Sequence, residues 1–129
     1  MRDALYATFA ANLGINSREL AELGGFSERF ARDLLAVRRP FPADVKEALN
    51  DLQDDIDVLA DDIEGWIDEE VAFIHMYADT AALRKNRPDI PGRGKAEGGF
   101  IGPYRIAALT ALDTLKQRGI DVDILLLDA

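Results

Sequence analysis

The chain has 129 residues, of which 48% are hydrophobic and 30% are charged, and its formal net charge is −9. This composition is typical of one globular domain, or of two very small ones, and excludes an intrinsically disordered chain. The chain has no cysteine, which excludes disulfides and thiolate metal sites, and no apolar run approaches the length of a membrane span. The N-terminal segment lacks the apolar core of a secretory signal, so we expect a soluble, cytoplasmic protein.

The negative charge is concentrated in the second part of the chain. Residues 1–50 hold seven basic and seven acidic side chains, whereas residues 51–129 hold eight basic and seventeen acidic ones. Between Lys46 and Arg84 there is no basic residue. Because a net acidic chain repels nucleic acid on average, any binding of DNA needs a local basic face turned away from this acidic block.

Three short amphipathic helices are predicted before Pro40. The first covers residues 3–13, and Asn16 or Ser17 caps the second, "SRELAEL". The double glycine that follows permits a sharp turn, after which Ser27 caps the third helix. The residues expected on the inner faces of these helices are Leu5, Phe9, Leu13, Leu20, Leu23, Phe30, Ala31 and Leu34.

A fourth helix is predicted to begin near Ala43 and to reach Trp66, with an apolar heptad stripe on one face and acidic side chains on the other. The stripe consists of Val45, Leu49, Leu52, Ile56, Leu59, Ile63 and Trp66. It either packs on the rest of the protein or forms a coiled coil with a second copy. The flanking positions give almost no attractive charge pairs between copies, which favours packing within the chain. The acidic face predicts a solvated surface, with a basic protein partner or mimicry of DNA charge as alternatives.

A strand–helix–helix–strand unit is predicted in the remainder of the chain. The strands are "VAFIHMYA" (71–78) and "IDVDILLLD" (120–128), and the second is apolar on both faces, so we expect both faces to be buried. Asp79 caps the first helix and Pro103 begins the second. The inner face of the second helix is expected to consist of Ile106, Leu109, Leu112 and Leu115. Because two strands make a poor sheet alone, we predict that this unit pairs with a second copy in a homodimer. The expected dimer contacts are Phe73, His75, Tyr77, Ile124, Leu125, Leu126 and Leu127.

The segment between these two helices, "PGRGKAEGGF" (91–100), is rich in helix breakers and contains Arg93 and Lys95. A phosphate cradle is one alternative for it. However, the lysine is not followed by serine or threonine, and no clear strand leads into the loop. We therefore predict a flexible connector whose two positive charges can touch nucleic acid.

Residues 17–40 have the spacing of a helix-turn-helix that reads DNA. This motif needs a small residue where the two helices touch, a glycine in the turn and an apolar residue inside the second helix. Ala21, Gly25 and Ala31 meet these needs. The expected base-reading residues, on the outer face of the third helix, are Ser27, Glu28, Arg29, Arg32 and Asp33. The expected phosphate contacts are Asn16, Ser17, Arg18, Arg38 and Arg39.

The segment "LGINSRELAELGGFSERFARDLLAVRRPFPADVKEAL" (13–49) resembles the Cro/C1-type (XRE) helix-turn-helix repressors. The layout of the whole chain is similar to that of small phage-type regulators, including those associated with anti-CRISPR operons. The resemblance implies a dimer formed by a compact C-terminal strand–helix–helix–strand domain. It also implies binding of an operator with two half-sites, often upstream of the regulator's own gene, in a bacterial or phage-encoded cytoplasmic protein.

Four residues depart from the family pattern, which often has threonine, a basic residue, tryptophan and glycine at these positions. They are, in the same order, Phe30, Asp33, Leu34 and Val37. Asp33 matters most, because a carboxylate near phosphates lowers the affinity for DNA. We expect it either to accept a hydrogen bond from cytosine or to pair with Arg29 or Arg32 across a helical turn.

These features predict a mainly α protein, α+β overall. Residues 1–66 are expected to form a helix-turn-helix DNA-binding domain with a long fourth helix, and residues 67–129 a small α+β dimerisation domain. The leading function is a dimeric repressor that binds double-stranded operator DNA. The alternatives are a protein-interaction module of antitoxin or antirepressor type that uses the acidic helix, an RNA-binding regulator, and a helical unit without DNA contact. Because His75 is the only histidine and no nucleophile pattern accompanies it, we expect no enzyme activity, metal, cofactor or small-molecule ligand.

Overall fold

The computed structural model describes residues 3–68 and 72–127, and in these residues the fold is mainly α with one small sheet. The elements in chain order are α1 (Asp3–Asn12), α2 (Ser17–Gly24), α3 (Glu28–Leu35), α4 (Ala43–Trp66), β1 (Phe73–Tyr77), α5 (Thr80–Asn86), α6 (Ile101–Gln117) and β2 (Asp123–Leu127). Every predicted helix and strand is present, with ends that differ by a few residues. The predicted strand residues Val71 and Asp128 lie outside the described ranges.

Three of the described helices, α1, α3 and α6, end in the same hydrogen-bonded turn. In each, the second residue after the helix has a positive φ, and the residues in that position are Gly14, Val37 and Gly119. At the end of α3 the amide of Val37 donates to the carbonyl of Leu34 at 3.0 Å, and the amide of Arg38 donates to that of Asp33 at 2.8 Å. This pair of bonds defines a Schellman motif, which satisfies the last carbonyls of a helix. Valine rarely adopts a φ of 60°, so the end of α3 is strained.

The core is formed where α4 packs along α6. Five members of the heptad stripe of α4 are buried, Leu59 is half-buried and Trp66 is partly exposed, so packing within the chain is confirmed. The opposing face of α6 is made largely of the fully buried Ala107, Ala108 and Ala111. Small side chains let the two helix backbones approach closely. The buried cluster continues without a break from α1 to β1, so the two predicted domains share one core.

The predicted inner faces of α1 and α6 are partly wrong. Leu109 is 53% exposed and Leu5 points outward as well, while alanines and tyrosines occupy the buried positions. The physical reason is that alanines, together with one tyrosine in each helix, form much of the buried face of both helices. A pattern weighted toward large aliphatic side chains therefore selects a face rotated away from the true contact.

The sheet consists of two parallel strands that are joined through α5 and α6. The register pairs Phe73 with Asp123 and Tyr77 with Leu127. β1 packs against α6, whereas β2 makes no comparable contact with a helix. The prediction that β2 is buried on both faces is wrong for the single chain, because Leu125 is 43% exposed and Leu126 is 57% exposed. Four apolar residues in a row do not specify whether the chain itself covers both faces of a strand.

Candidate nucleic-acid interface

The helix-turn-helix is built by the three residues that the sequence singles out. Gly25 ends α2 with a φ of 71°, and its amide donates to the carbonyl of Ala21 at 2.8 Å. Ala21 and Ala31 are buried, which lets α2 and α3 pack closely. The hydroxyl of Ser27 accepts from the amide of Phe30 at 3.1 Å and so begins α3. These contacts fix the angle at which α3 presents its outer face.

The first turn of α2 holds the residues expected to meet a phosphate. The side-chain carbonyl of Asn16 accepts from the amide of Glu19 at 2.8 Å, and the amide of Asn16 donates to the carboxylate of Glu19 at 3.3 Å. This reciprocal capping box means that Asn16 acts first as a helix cap. Ser17 is likewise engaged, donating to Glu28 at 3.2 Å, while Arg18 is exposed. The positive end of the helix dipole at this turn favours an anion.

The outer face of α3 carries two exposed arginines. Arg32 lies 3.3 Å from the carboxylate of Glu28, one helical turn earlier. Arg29 is exposed and forms no ion pair within the part of the chain that the structure describes. Phe30 is half-buried, makes an edge-to-face contact with Phe26 at 4.8 Å between ring centroids, and so does not lie on this face. The arrangement leaves both guanidinium groups able to meet a groove edge.

The structure gives Asp33 partners that differ from the predicted ones. Its carboxylate lies 3.7 Å from Arg38 and 3.4 Å from Arg39, and it contacts neither Arg29 nor Arg32. The Schellman turn at Val37 reverses the chain and returns the two following residues to the side of α3 where Asp33 lies. Asp33 therefore restrains the two arginines that are expected to hold phosphates, so the predicted pairing across a helical turn is wrong.

The loop 91–99 is fixed on the helix-turn-helix and is not the flexible connector that the sequence predicts. The amide of Lys95 donates to the carbonyl of Leu23 at 2.8 Å, at the end of α2. Arg93 forms two hydrogen bonds with the carboxylate of Asp55 on α4, at 2.5 and 2.6 Å. Arg84 donates to the carbonyls of residues 98 and 99 at 3.0 and 3.1 Å, and to Glu22 at 2.7 Å. Most of these partners are distant in sequence, and no local sequence pattern predicts the contacts between them.

A buried polar network also joins α2 to the C-terminal part of the chain. Glu19 is the one charged side chain that is buried within residues 3–68 and 72–127. Its second carboxylate oxygen accepts a hydrogen bond from the hydroxyl of Thr80. That hydroxyl in turn accepts from the amide of Ile101 at 3.0 Å, at the start of α6. The network holds the start of α2 against the start of α6.

The residues predicted to form the dimer contact divide into two groups. Phe73, His75, Leu125 and Leu126 are exposed, while Ile124 and Leu127 are half-buried. Tyr77 is buried inside the chain against the ring of Tyr104, so its assignment to a dimer surface is wrong. Burial raises the pKa of both tyrosines, to about 12 for Tyr104, whose hydroxyl donates to the carbonyl of His75 at 2.5 Å.

A cleft of about 220 Å³ lies between α4 and the segment that leads into α6. Its walls are mostly apolar, with three aspartates and Arg87 among them, and Arg87 stacks over Trp66 at 4.1 Å from the ring centroid. The guanidinium of Arg87 also forms two hydrogen bonds with Asp89, at 2.8 and 2.9 Å. Trp66 is 38% exposed and lies outside the buried core, so the core role expected from the apolar stripe is wrong for this residue, which stacks with Arg87 instead.

No family model matches the chain, and no curated protein matches it significantly. Among the described helices, none is both long enough and apolar enough to span a membrane. In the same residues no group of three or more acidic or histidine side chains is placed to hold a metal ion.

Proposed function

We propose that this protein is a sequence-specific DNA-binding transcriptional regulator that reads its operator with α3. The observation that carries the proposal is the α2–Gly25–α3 unit, in which both helices are capped and α3 exposes Arg29 and Arg32. Arginine is the commonest reader of guanine in the major groove. In this motif the outer face of the second helix is the one that meets the base edges, and Arg29 and Arg32 lie on that face of α3.

The local charge supports the same proposal. From Ser27 to Arg39 the chain carries four arginines against two carboxylates, although the protein as a whole is acidic. The surplus of acid lies instead in α4 and the residues that follow it. Electrostatic attraction to phosphates acts over about 10 Å at 0.1 M salt, so the local balance on α3 matters more than the total charge.

A homodimer is part of the proposal. Phe73, Leu125 and Leu126 expose apolar surface on the two described strands, and the helices that support this sheet contact β1 and leave β2 without a comparable layer. Leu125 and Leu126 point to opposite faces of the sheet, so a second copy that pairs along the free edge of β2 is the arrangement that would shield both. Two copies of α3 would then read two half-sites, as in dimeric helix-turn-helix proteins, and the DNA upstream of the protein's own gene is the first candidate operator.

The test is a gel-shift experiment with that upstream DNA, run at two salt concentrations, together with selection from a randomised duplex library. Arg32→Ala is expected to relax sequence preference at one position, at a cost of about 1–3 kcal/mol for the preferred base. Arg38→Ala is expected to weaken binding to all sequences and to flatten the salt dependence. Arg118→Ala, an exposed arginine of the C-terminal part, is the matched control.

The result that contradicts the proposal is the absence of any shift at low salt for a sample verified as a dimer. A dimer can be verified separately by light scattering, and a monomer at high micromolar concentration would contradict that part of the proposal alone.

A further inference from the structure

We infer that Lys95, which belongs to the C-terminal part of the chain, is a DNA-phosphate contact placed beside the turn of the helix-turn-helix. The inference rests on the proposed function and adds to it a residue outside residues 13–49. Three observations support it: the position of the Lys95 side chain, the pairing of the nearby Arg93 with Asp55, and the hydrogen bonds that fix the loop 91–99.

The side chain of Lys95 lies across the turn between α2 and α3. A Cβ atom built at Gly25 would collide with the side chain of Lys95 and would come within 3.0 Å of its Nζ atom. Glycine at position 25 supplies the positive φ of the turn, and the lysine side chain occupies the space next to its Cα atom. Gly25 lies two residues before Ser27, the cap of α3. The ammonium group of Lys95 consequently lies near the N-terminal end of α3, and this is the end that enters the major groove in this motif.

The charge of Lys95 is available to a ligand. Lys95 is exposed, and no carboxylate within the described ranges forms an ion pair with it. Arg93, two residues earlier, is bound instead by two hydrogen bonds to Asp55. The two positive charges of this loop therefore have different tasks, one holding the loop on α4 and the other facing solvent.

The loop is held before any DNA binds. Arg84 bonds two carbonyls of the loop, and the amide of Lys95 bonds the carbonyl of Leu23. Part of the conformational entropy of the loop is thus lost during folding and is not lost again on binding. A lysine is a point charge without bidentate geometry, so this contact is expected to add affinity without sequence preference.

The test compares Lys95→Gln with Lys116→Gln in the full-length protein. Both variants remove one positive charge from an exposed lysine, and Lys116 lies in the last turn of α6. Binding is measured by fluorescence anisotropy over a series of salt concentrations. The probes are a duplex selected from the randomised library and an unrelated duplex of equal length.

For Lys95→Gln we expect the slope of log affinity against log salt to become shallower by about 0.9, with a loss of affinity of roughly threefold to tenfold at low salt. The loss should be equal for both duplexes, and Lys95→Arg should restore the slope. Lys116→Gln should leave the slope unchanged. Circular dichroism melting shows whether each variant is folded.

The two proposals fail in different ways. If the wild-type protein binds and Lys95→Gln has the same slope as Lys116→Gln, the inference about Lys95 is overturned while the proposed function stands. A change in sequence preference, in place of a uniform loss, also overturns it. If the wild-type protein binds neither duplex at low salt, the proposed function itself fails.

Discussion

The substitution Val37→Gly is expected to stabilise the protein. Val37 has a φ of 60° at the end of α3, in a turn whose counterpart after α6 uses Gly119 with a φ of 78°. A left-handed conformation costs an L-residue about 1–2 kcal/mol, and β-branching adds to the strain. Glycine removes this cost.

The expected gain in the free energy of unfolding is smaller than the backbone strain that the substitution removes. Glycine increases the conformational entropy of the unfolded chain, which costs about 0.5–1 kcal/mol. The valine side chain is 48% exposed, so little apolar burial is lost with it. The net expectation is that the free energy of unfolding rises by about 0.5–1 kcal/mol, which corresponds to about 2–5 °C in melting temperature for a domain of this size.

Gly119→Val provides the reciprocal control. A Cβ atom at Gly119 would have no neighbour within 4 Å, so the substitution introduces backbone strain without a steric clash. The melting temperature should fall by a similar amount. Thermal and urea denaturation followed by circular dichroism measure both changes. If Val37→Gly lowers the stability, or if both substitutions change it in the same direction, backbone strain at Val37 does not determine the effect of the substitution on stability.

Three further substitutions test other contacts. Asp33→Asn releases Arg38 and Arg39, so affinity for an unrelated duplex should rise about threefold to tenfold at low salt; a fall would instead indicate that Asp33 itself aids binding. Thr80→Val leaves buried polar groups without a partner and should lower the free energy of unfolding by about 1–3 kcal/mol in urea titration, and a loss below about 0.5 kcal/mol would contradict the network. The pKa of Tyr104 is raised from 10.0 to about 12, so its contribution to stability is complete below pH 10 and is lost as the pH rises through 12. Tyr104→Phe should make stability less dependent on pH in this range, and an unchanged profile would refute the assignment.

The parts of the fold that depend on neighbouring residues could be predicted from the sequence. Ser27, Asp79 and Gly119 begin or end helices through contacts with backbone groups three or four residues away, so local patterns are sufficient to place them. The motif positions Ala21 and Gly25 are of the same kind.

The contacts that position the proposed site depend on residues far apart in the chain. Thr80 and Glu19 are separated by 61 residues, and Arg93 and Asp55 by 38. No spacing rule links such pairs, so the sequence alone could not show that the loop is fixed on α2 and α4. The pairing of Asp33 was missed for a different reason, because it follows from a left-handed turn at a valine, a residue that rarely adopts one.

The long helix α4 has a consequence for the geometry of the proposed complex. It contacts α1 and α2, which hold α3, and it packs along α6, which packs on β1, so α3 and the sheet belong to one packed unit. A dimer joined through β2 would therefore hold its two copies of α3 at a fixed distance from each other. The operator would need half-sites at a matching separation along one face of the duplex. Inserting about five base pairs, roughly half a helical turn, between the half-sites would rotate one half-site to the opposite side of the duplex. One copy of α3 would then not reach the major groove of its half-site.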